Sequence, residues 1–266
     1  MPLLHLILVA LVQGVTEFLP VSSSGHLVLV PLFTGYDDQG LAIDVAVHVG
    51  TLFAVVAYFR REVALAAHGL LDLLARRATP GARLALGLVV ATVPVVLAGL
   101  ALKATGLDEA MRSVAVIGWA MLVFGLVLWW ADRMPERRTD GAWSLRDALV
   151  MGLWQAIALI PGTSRSGIVI TGARSLGYDR ESAARLAMLM SIPTILAAGS
   201  LLGLEALTTP HGPGFWRDLG LAAVLSGVSA FAALALMMRL LRSVSFTPYV
   251  IYRVVLGIGL LAWAYA

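Results

Sequence analysis

The chain has 266 residues, 59% of them hydrophobic and 13% charged, and its 19 basic and 16 acidic side chains leave a net charge of +3. A mean hydropathy of +0.88, set against the roughly 25% charged residues of a soluble domain, excludes a water-facing surface and indicates a polytopic membrane protein. Cysteine is absent, which excludes thiolate metal sites, a thiol nucleophile and disulfides.

The first apolar region, 3–33, is broken at Pro20–Gly25. Six uninterrupted apolar segments follow at roughly 42–59, 84–102, 112–130, 182–204, 218–240 and 248–265, each near the ~20 residues that cross a bilayer core. A second broken region, 147–172, lies between the third and fourth of them and is interrupted at Pro161–Gly167. Proline removes a backbone donor and disrupts the preceding turn, so both regions read as helix–break–helix hairpins that re-enter the membrane. No polar stretch is long enough to fold separately, and 1–266 is expected to form a single membrane domain. The longest polar stretches, 60–83 and 131–147, are loop-sized. Residues 1–30 lack a basic segment ahead of the apolar run, and Glu17 interrupts that run, so they do not read as a cleaved signal peptide.

The order of elements repeats. A broken hairpin and three spans fill about 1–131, and another such set fills about 147–265. Gly25 lies 12 residues after Gln13, as Gly167 does after Gln155, an offset of 142 that aligns Ser22 with Ser164, Ser24 with Ser166 and Ser23 with Arg165. Three spans per half make the two halves inverted repeats. Placing 60–83 in the cytoplasm gathers thirteen arginines there: Arg60, Arg61, Arg76, Arg77, Arg83, Arg133, Arg137, Arg138, Arg146, Arg174, Arg180, Arg239 and Arg242. The other side receives Lys103, Arg112 and Arg217. The positive-inside rule accounts for this bias, so the net charge reads as a topology signal, and no nucleic-acid partner is expected. Trp129, Trp130, Trp143, Trp216 and Trp263 lie near span ends as interfacial anchors, and Arg185 is expected to snorkel.

Polar groups at membrane depth cost several kcal/mol unless they are satisfied, and ionisable ones mark functional sites. Gln13 and Glu17 share one face of the first half-helix. Ser22, Ser23 and Ser24 lie in the break, Gly25 permits close backbone approach, and His26 opens the next half-helix. The second break, Gly162, Thr163, Ser164, Arg165, Ser166 and Gly167, offers hydroxyls, backbone N–H groups and a permanent cation. Half-helix N-termini favour anions, and a guanidinium grips phosphate oxygens bidentately. No Gly-Lys-Thr/Ser follows, so this is not a nucleotide P-loop. Asp44 and His48, four apart on one helix face, read equally as supporting partners of the site or as a structural pair. Arg253 reads equally as a lipid-phosphate contact or as a snorkelling residue. Carboxylate, serine, histidine and arginine together suit attack on a phosphoryl group.

Two stretches, Gln13-Gly-Val-Thr-Glu-Phe-Leu-Pro-Val-Ser-Ser-Ser-Gly-His26 and Pro161-Gly-Thr-Ser-Arg-Ser-Gly167, closely resemble the signature motifs of the undecaprenyl-diphosphate phosphatase family of the bacitracin-resistance type. The likeness extends to His48-Val-Gly-Thr51, Ser191-Ile-Pro193 and Tyr252-Arg253. It implies a multi-pass enzyme of the bacterial inner membrane, with its site open to the periplasm. The implied reaction hydrolyses undecaprenyl diphosphate to the monophosphate and inorganic phosphate, recycling the lipid carrier for cell-wall synthesis. The resemblance also implies a divalent cation, magnesium or calcium, at an acidic motif that falls on Gln13 and Glu17; its first position is Gln here, leaving one carboxylate. The family's serine falls on Ser23, its histidine on His26 and its phosphate-binding arginine on Arg165. The diphosphate would rest on Arg165 and on the backbone and hydroxyls of Ser22, Ser24, Gly25 and Gly162–Gly167. Ser23, His26 and water all stand as candidate attacking groups. The partners expected are the polyprenyl diphosphate and the bilayer, with monomer and homodimer both open. A lipid flippase using the same inverted-repeat site is the alternative.

Overall fold

The computed structural model describes residues 2–107, 111, 113–208 and 214–266, the side chains of 201–208 excepted. Eleven α-helices are described: α1 Leu3–Phe18, α2 Ser23–Thr34, α3 Leu41–Tyr58, α4 Arg60–Leu74, α5 Pro80–Thr105, α6 Val114–Asp132, α7 Leu145–Ile157, α8 Arg165–Ser175, α9 Arg180–Thr208, α10 Phe215–Leu240 and α11 Thr247–Tyr265. Among the described residues, six helices (α3, α5, α6, α9, α10 and α11) are long and apolar enough to cross a membrane. They coincide with the six apolar segments of the sequence. Arg112, one of the three charges assigned to the opposite face, lies outside the described residues.

Both broken regions are hairpins. Helix α1 ends at Phe18 and α2 begins at Ser23; α7 ends at Ile157 and α8 begins at Arg165. Each hairpin returns towards the level at which it started. His5 near the start of α1 stacks on Tyr36 just past α2, with ring centroids 4.8 Å apart. At the start of α7, Asp147 accepts hydrogen bonds from Arg138 Nη2 at 2.6 Å and, from just past α8, Tyr178 Oη at 2.9 Å. Burial alone would raise the Asp147 pKa, but hydrogen bonds from Arg138, Ser144 and Tyr178 outweigh it and hold the carboxyl below its ordinary range. Asp147 also closes a capping box with Ser144, satisfying two of the free donors at the helix start.

Small residues set the helix spacing, as is usual where lipid gives no hydrophobic drive for helix association. Gly14 of α1 and Gly50 of α3 both lie against the backbone of α10, at Ser226 and Ala223. Gly118 of α6 meets Gly257 of α11 in the same way. A Cβ at any of these positions would push helix backbones apart. The largest apolar core runs through the middle of the molecule, from Phe18 and Val55 to Ile168, Met188, Leu234 and Phe246.

The structure departs from the sequence reading in the polar stretches. Residues 60–83 are not a simple loop: α4 fills Arg60–Leu74. Its apolar and charged positions segregate around a helix only 15 residues long, too short to stand out as a span. Leu71 and Leu74 are exposed on it, as in a helix lying along a membrane surface. Arg174 is not a loop charge either. It is 1% exposed and donates to the carbonyls of Tyr178, Asp132 (2.9 Å) and Met134 (2.7 Å). Arg185 pairs with Glu62 at 3.2 Å and Asp140 at 3.5 Å. Trp143 packs against Gly87 rather than standing free. Asp132 takes Arg180 Nε at 2.7 Å and the Phe246 N–H at 3.1 Å. These contacts tie the start of α4, the 132–147 connection, the start of α9 and the start of α11 to one end of the molecule.

Candidate active site

The two breaks meet. Arg165, the first residue of α8, pairs with Glu17 of α1 through Nη2 and Oε1. Ser166 Oγ donates to the Leu19 carbonyl at 3.0 Å, so the second break also grips the backbone of the first. The backbone turns alike in both. Ser22 and Ser164, the residues aligned by the 142 offset, each have a left-handed φ, 75° and 70°, a region that non-glycine residues seldom occupy. Each caps the helix that follows: Ser22 Oγ accepts from Gly25 N at 3.3 Å and Ser164 Oγ from Gly167 N at 3.2 Å. The hydroxyl two residues on lies against each cap, Ser24 at 3.4 Å and Ser166 at 3.1 Å. A short polar side chain that caps locally offsets the strain of the turn.

Glu17 is the hub. It is buried, and its Oε2 accepts from Gln13 Nε2 at 2.8 Å and from Ser23 Oγ at 2.6 Å. His48 Nε2 stands 3.8 Å from the same oxygen, while its Nδ1 is held by the Asp44 carbonyl at 2.7 Å. Asp44 itself accepts from Gln39 at 2.8 Å. The imidazole beside Glu17 is therefore that of His48. His26, a candidate attacking group, is held by the Ser22 carbonyl at 2.7 Å and the Tyr252 hydroxyl at 2.5 Å.

Arg253 is fully buried, which removes both snorkelling and a lipid-phosphate contact. Its Nη2 donates to the carbonyls of Thr163 (2.8 Å), Gly162 (3.2 Å) and Ala120 (3.3 Å), and Nη1 to that of Pro20 (3.4 Å). One guanidinium thus satisfies carbonyls freed in both breaks. Sequence alone could not show this, because the partners are backbone groups far away in the chain. The hydroxyls of Ser22, Ser164 and Ser166 and the amides of Gly25 and Gly167 serve the turns themselves. What faces a ligand is smaller in number. Arg165 Nη1 and Thr163 Oγ1 are buried without a hydrogen-bond partner among the described residues, and Arg165 meets the Ser23–Glu17 pair through Glu17.

A cation would have to be held by oxygen. Among the described residues, no group of three or more His, Asp or Glu converges as a metal site. Gln13 Oε1, however, is buried and unpartnered, on a side chain bonded to Glu17. An amide oxygen is among the ligands a Mg²⁺-type ion takes beside waters and substrate phosphates, whereas both Glu17 oxygens already accept hydrogen bonds, Oε1 from Arg165 and Oε2 from Gln13 and Ser23.

The family model for bacitracin resistance protein BacA matches residues 6–259. The chain belongs to the BacA family. It is similar over its full length to proteins named undecaprenyl-diphosphatase, 66% identical to that of Ruegeria sp. (strain TM1040) and 65% identical to that of Dinoroseobacter shibae, with 100% of both chains covered in each case. Undecaprenyl-diphosphatase 2 of Stutzerimonas stutzeri is 48% identical, with 98% of each chain covered. A BacA-family chain with these helices is a multi-pass membrane protein.

Proposed function

We propose that this protein hydrolyses undecaprenyl diphosphate to undecaprenyl phosphate and inorganic phosphate, recycling the carrier lipid used in peptidoglycan synthesis. The observation that carries the chemistry is Ser23 Oγ bonded at 2.6 Å to Glu17 Oε2, with the unpaired Nη1 of Arg165 alongside. Arg165 and Thr163 bind oxygens of the terminal phosphoryl group. Ser23 Oγ attacks the terminal phosphorus while Glu17 takes its proton. The anhydride P–O bond breaks, and undecaprenyl phosphate leaves with that bond's electron pair. Glu17 gives that proton up to the departing phosphate. Water then attacks the phosphoserine while Glu17 takes one of its protons, the Oγ–P bond breaks with its electron pair going to Ser23 Oγ, Glu17 returns the proton to that oxygen, and inorganic phosphate departs. Arg165 offsets the charge on the phosphoryl oxygens through both steps. His26 fits the attacking role less well, since both of its ring nitrogens are already engaged.

A divalent cation, magnesium or calcium, belongs to this proposal. Gln13 Oε1 and Glu17 would hold it, and when bound it would neutralise diphosphate charge. The protein lies in the bacterial inner membrane as two inverted repeats. The end that collects Arg174, Arg180, Arg185 and Arg242 faces the cytoplasm, and the site opens to the periplasm. Paired broken hairpins are also an architecture of transporters, so a lipid flippase is the competing reading.

Purified protein incubated with a polyprenyl diphosphate, with detergent and cation varied, is expected to release phosphate; inactivity throughout would remove the phosphatase reading and leave translocation. Rapid quenching followed by mass spectrometry is expected to place phosphate on Ser23. Phosphate on His26 would reverse the assignment, and on neither residue would favour direct attack by water.

A further inference from the structure

Tyr252 and Arg253 are adjacent on α11, and each is bound to the breaks. Arg253 bonds their carbonyls directly. Tyr252 acts on the first break through His26. Its hydroxyl lies 2.5 Å from His26 Nε2, and the two rings stack nearly parallel, 9° apart with centroids at 5.7 Å. On the other side of the imidazole, Nδ1 lies 2.7 Å from the Ser22 carbonyl.

The direction of both bonds follows from that carbonyl. A carbonyl oxygen can only accept, so Nδ1 carries the proton; in the neutral ring the lone pair is then on Nε2, and the tyrosine hydroxyl donates to it. The imidazole has no nitrogen left to attack phosphorus or to receive the Ser23 proton. It is a link, and it ends on Ser22. That residue holds a left-handed φ of 75° and immediately precedes Ser23. In the second break the aligned position is Ile168, and among the described residues the Ser164 carbonyl meets only the ordinary helix bond from Ile168 N, at 2.9 Å. The side-chain tie is thus confined to the break that carries the reactive hydroxyl.

We infer that Tyr252 is a positioning residue: its hydroxyl fixes His26 in the Nδ1–H form, and His26 in turn holds the Ser22 carbonyl, so that Ser23 Oγ is presented to Glu17. This rests on Ser23 as the attacking group. Tyr252→Phe keeps the ring stack and removes only the donor.

The test joins histidine ¹⁵N spectra of the full-length protein with steady-state phosphate release. His26 is assigned by difference from His26→Asn among the five histidines. Wild type is expected to show the Nδ1–H tautomer. In Tyr252→Phe the Nε2 resonance shifts, and kcat falls about tenfold or more, the scale of one lost hydrogen bond, while KM stays within about twofold. Tyr252→Ala should match Tyr252→Phe; if it does not fold, Tyr252→Phe decides alone. Unchanged His26 resonances in Tyr252→Phe, or kcat within about twofold of wild type, would overturn the inference. If wild type releases no phosphate, the phosphatase reading fails separately, and an Nε2–H His26 in wild type would still defeat the tautomer assignment.

Discussion

The two breaks share a backbone and divide the chemistry. Ser22 and Ser164 turn through the same left-handed region and cap the next helix through the same hydroxyl-to-glycine bond. At the aligned slots around them the side chains part company. Glu17 aligns with Leu159, Ser23 with Arg165 and His26 with Ile168. The first break therefore carries a hydroxyl in contact with the carboxylate just before it; the second carries the cation that pairs with that carboxylate. The same turn, present twice, supplies two prepared positions at one place in the fold, and in the proposed mechanism the residue at each slot decides whether it reacts or binds.

The largest effect that could break this comparison is at Glu17. Glu17→Gln keeps shape and burial but cannot take a proton, and kcat should fall by about a hundred- to ten-thousand-fold; activity near wild type would separate Glu17 from the chemistry. On the binding side, Arg165→Lys keeps the charge but loses the planar fork. Phosphate-release kinetics should show kcat/KM down about a hundredfold, and a small loss would mean that point charge alone is enough. The shared turn predicts a matched pair of smaller effects. Ser22→Ala and Ser164→Ala should each lower unfolding stability by about 1 kcal/mol, the ordinary value of such a cap. Very unequal losses would show that the likeness of the two turns is only geometric.

The smallest predicted effect distinguishes the bases of the hairpins. The first is joined by the His5–Tyr36 stack, the second by Asp147 with Arg138 and Tyr178. The folded-state pKa of Asp147 is depressed, so its contribution is present above the ordinary carboxylate value and is lost as pH falls below about 4 towards the folded-state value. Hydrogen exchange around 138–147 should quicken over that acidic range. Arg138 is partly exposed, so the change is screened and modest. Equal protection in Asp147→Asn and wild type at neutral pH would remove the ionic account.

Much of this was legible in the sequence. Hydropathy places the six spans, and proline with glycine places the breaks, because both signals are local. Glu17 and Arg165 stand out since a charge in an apolar run demands a partner. The missed features depend on distance along the chain. Tyr252 finds His26 across 226 residues and Arg253 finds Pro20 across 233, and no periodicity records such pairs. Arg174 was read as a loop charge because α8 continues past the apolar stretch that announces it, carrying the arginine into a nest of carbonyls. Helix α4 is hidden by Arg60, Arg61, Glu62, His68 and Asp72, which lower the average hydropathy of a short amphipathic helix.

Arg253 also places the site in time. A chain grows from its N-terminus, and folding during synthesis begins with the segments made first. Pro20 is added 233 residues before the arginine that caps its carbonyl. Throughout that interval the first break lacks both the guanidinium and the tyrosine hydroxyl of α11. A growing chain that has already inserted Glu17, Ser23 and Arg165 thus holds every reacting group without the brace that sets their geometry. On the proposed mechanism, the geometry for cleaving a lipid diphosphate is complete only when α11 is in place, late in the making of the molecule.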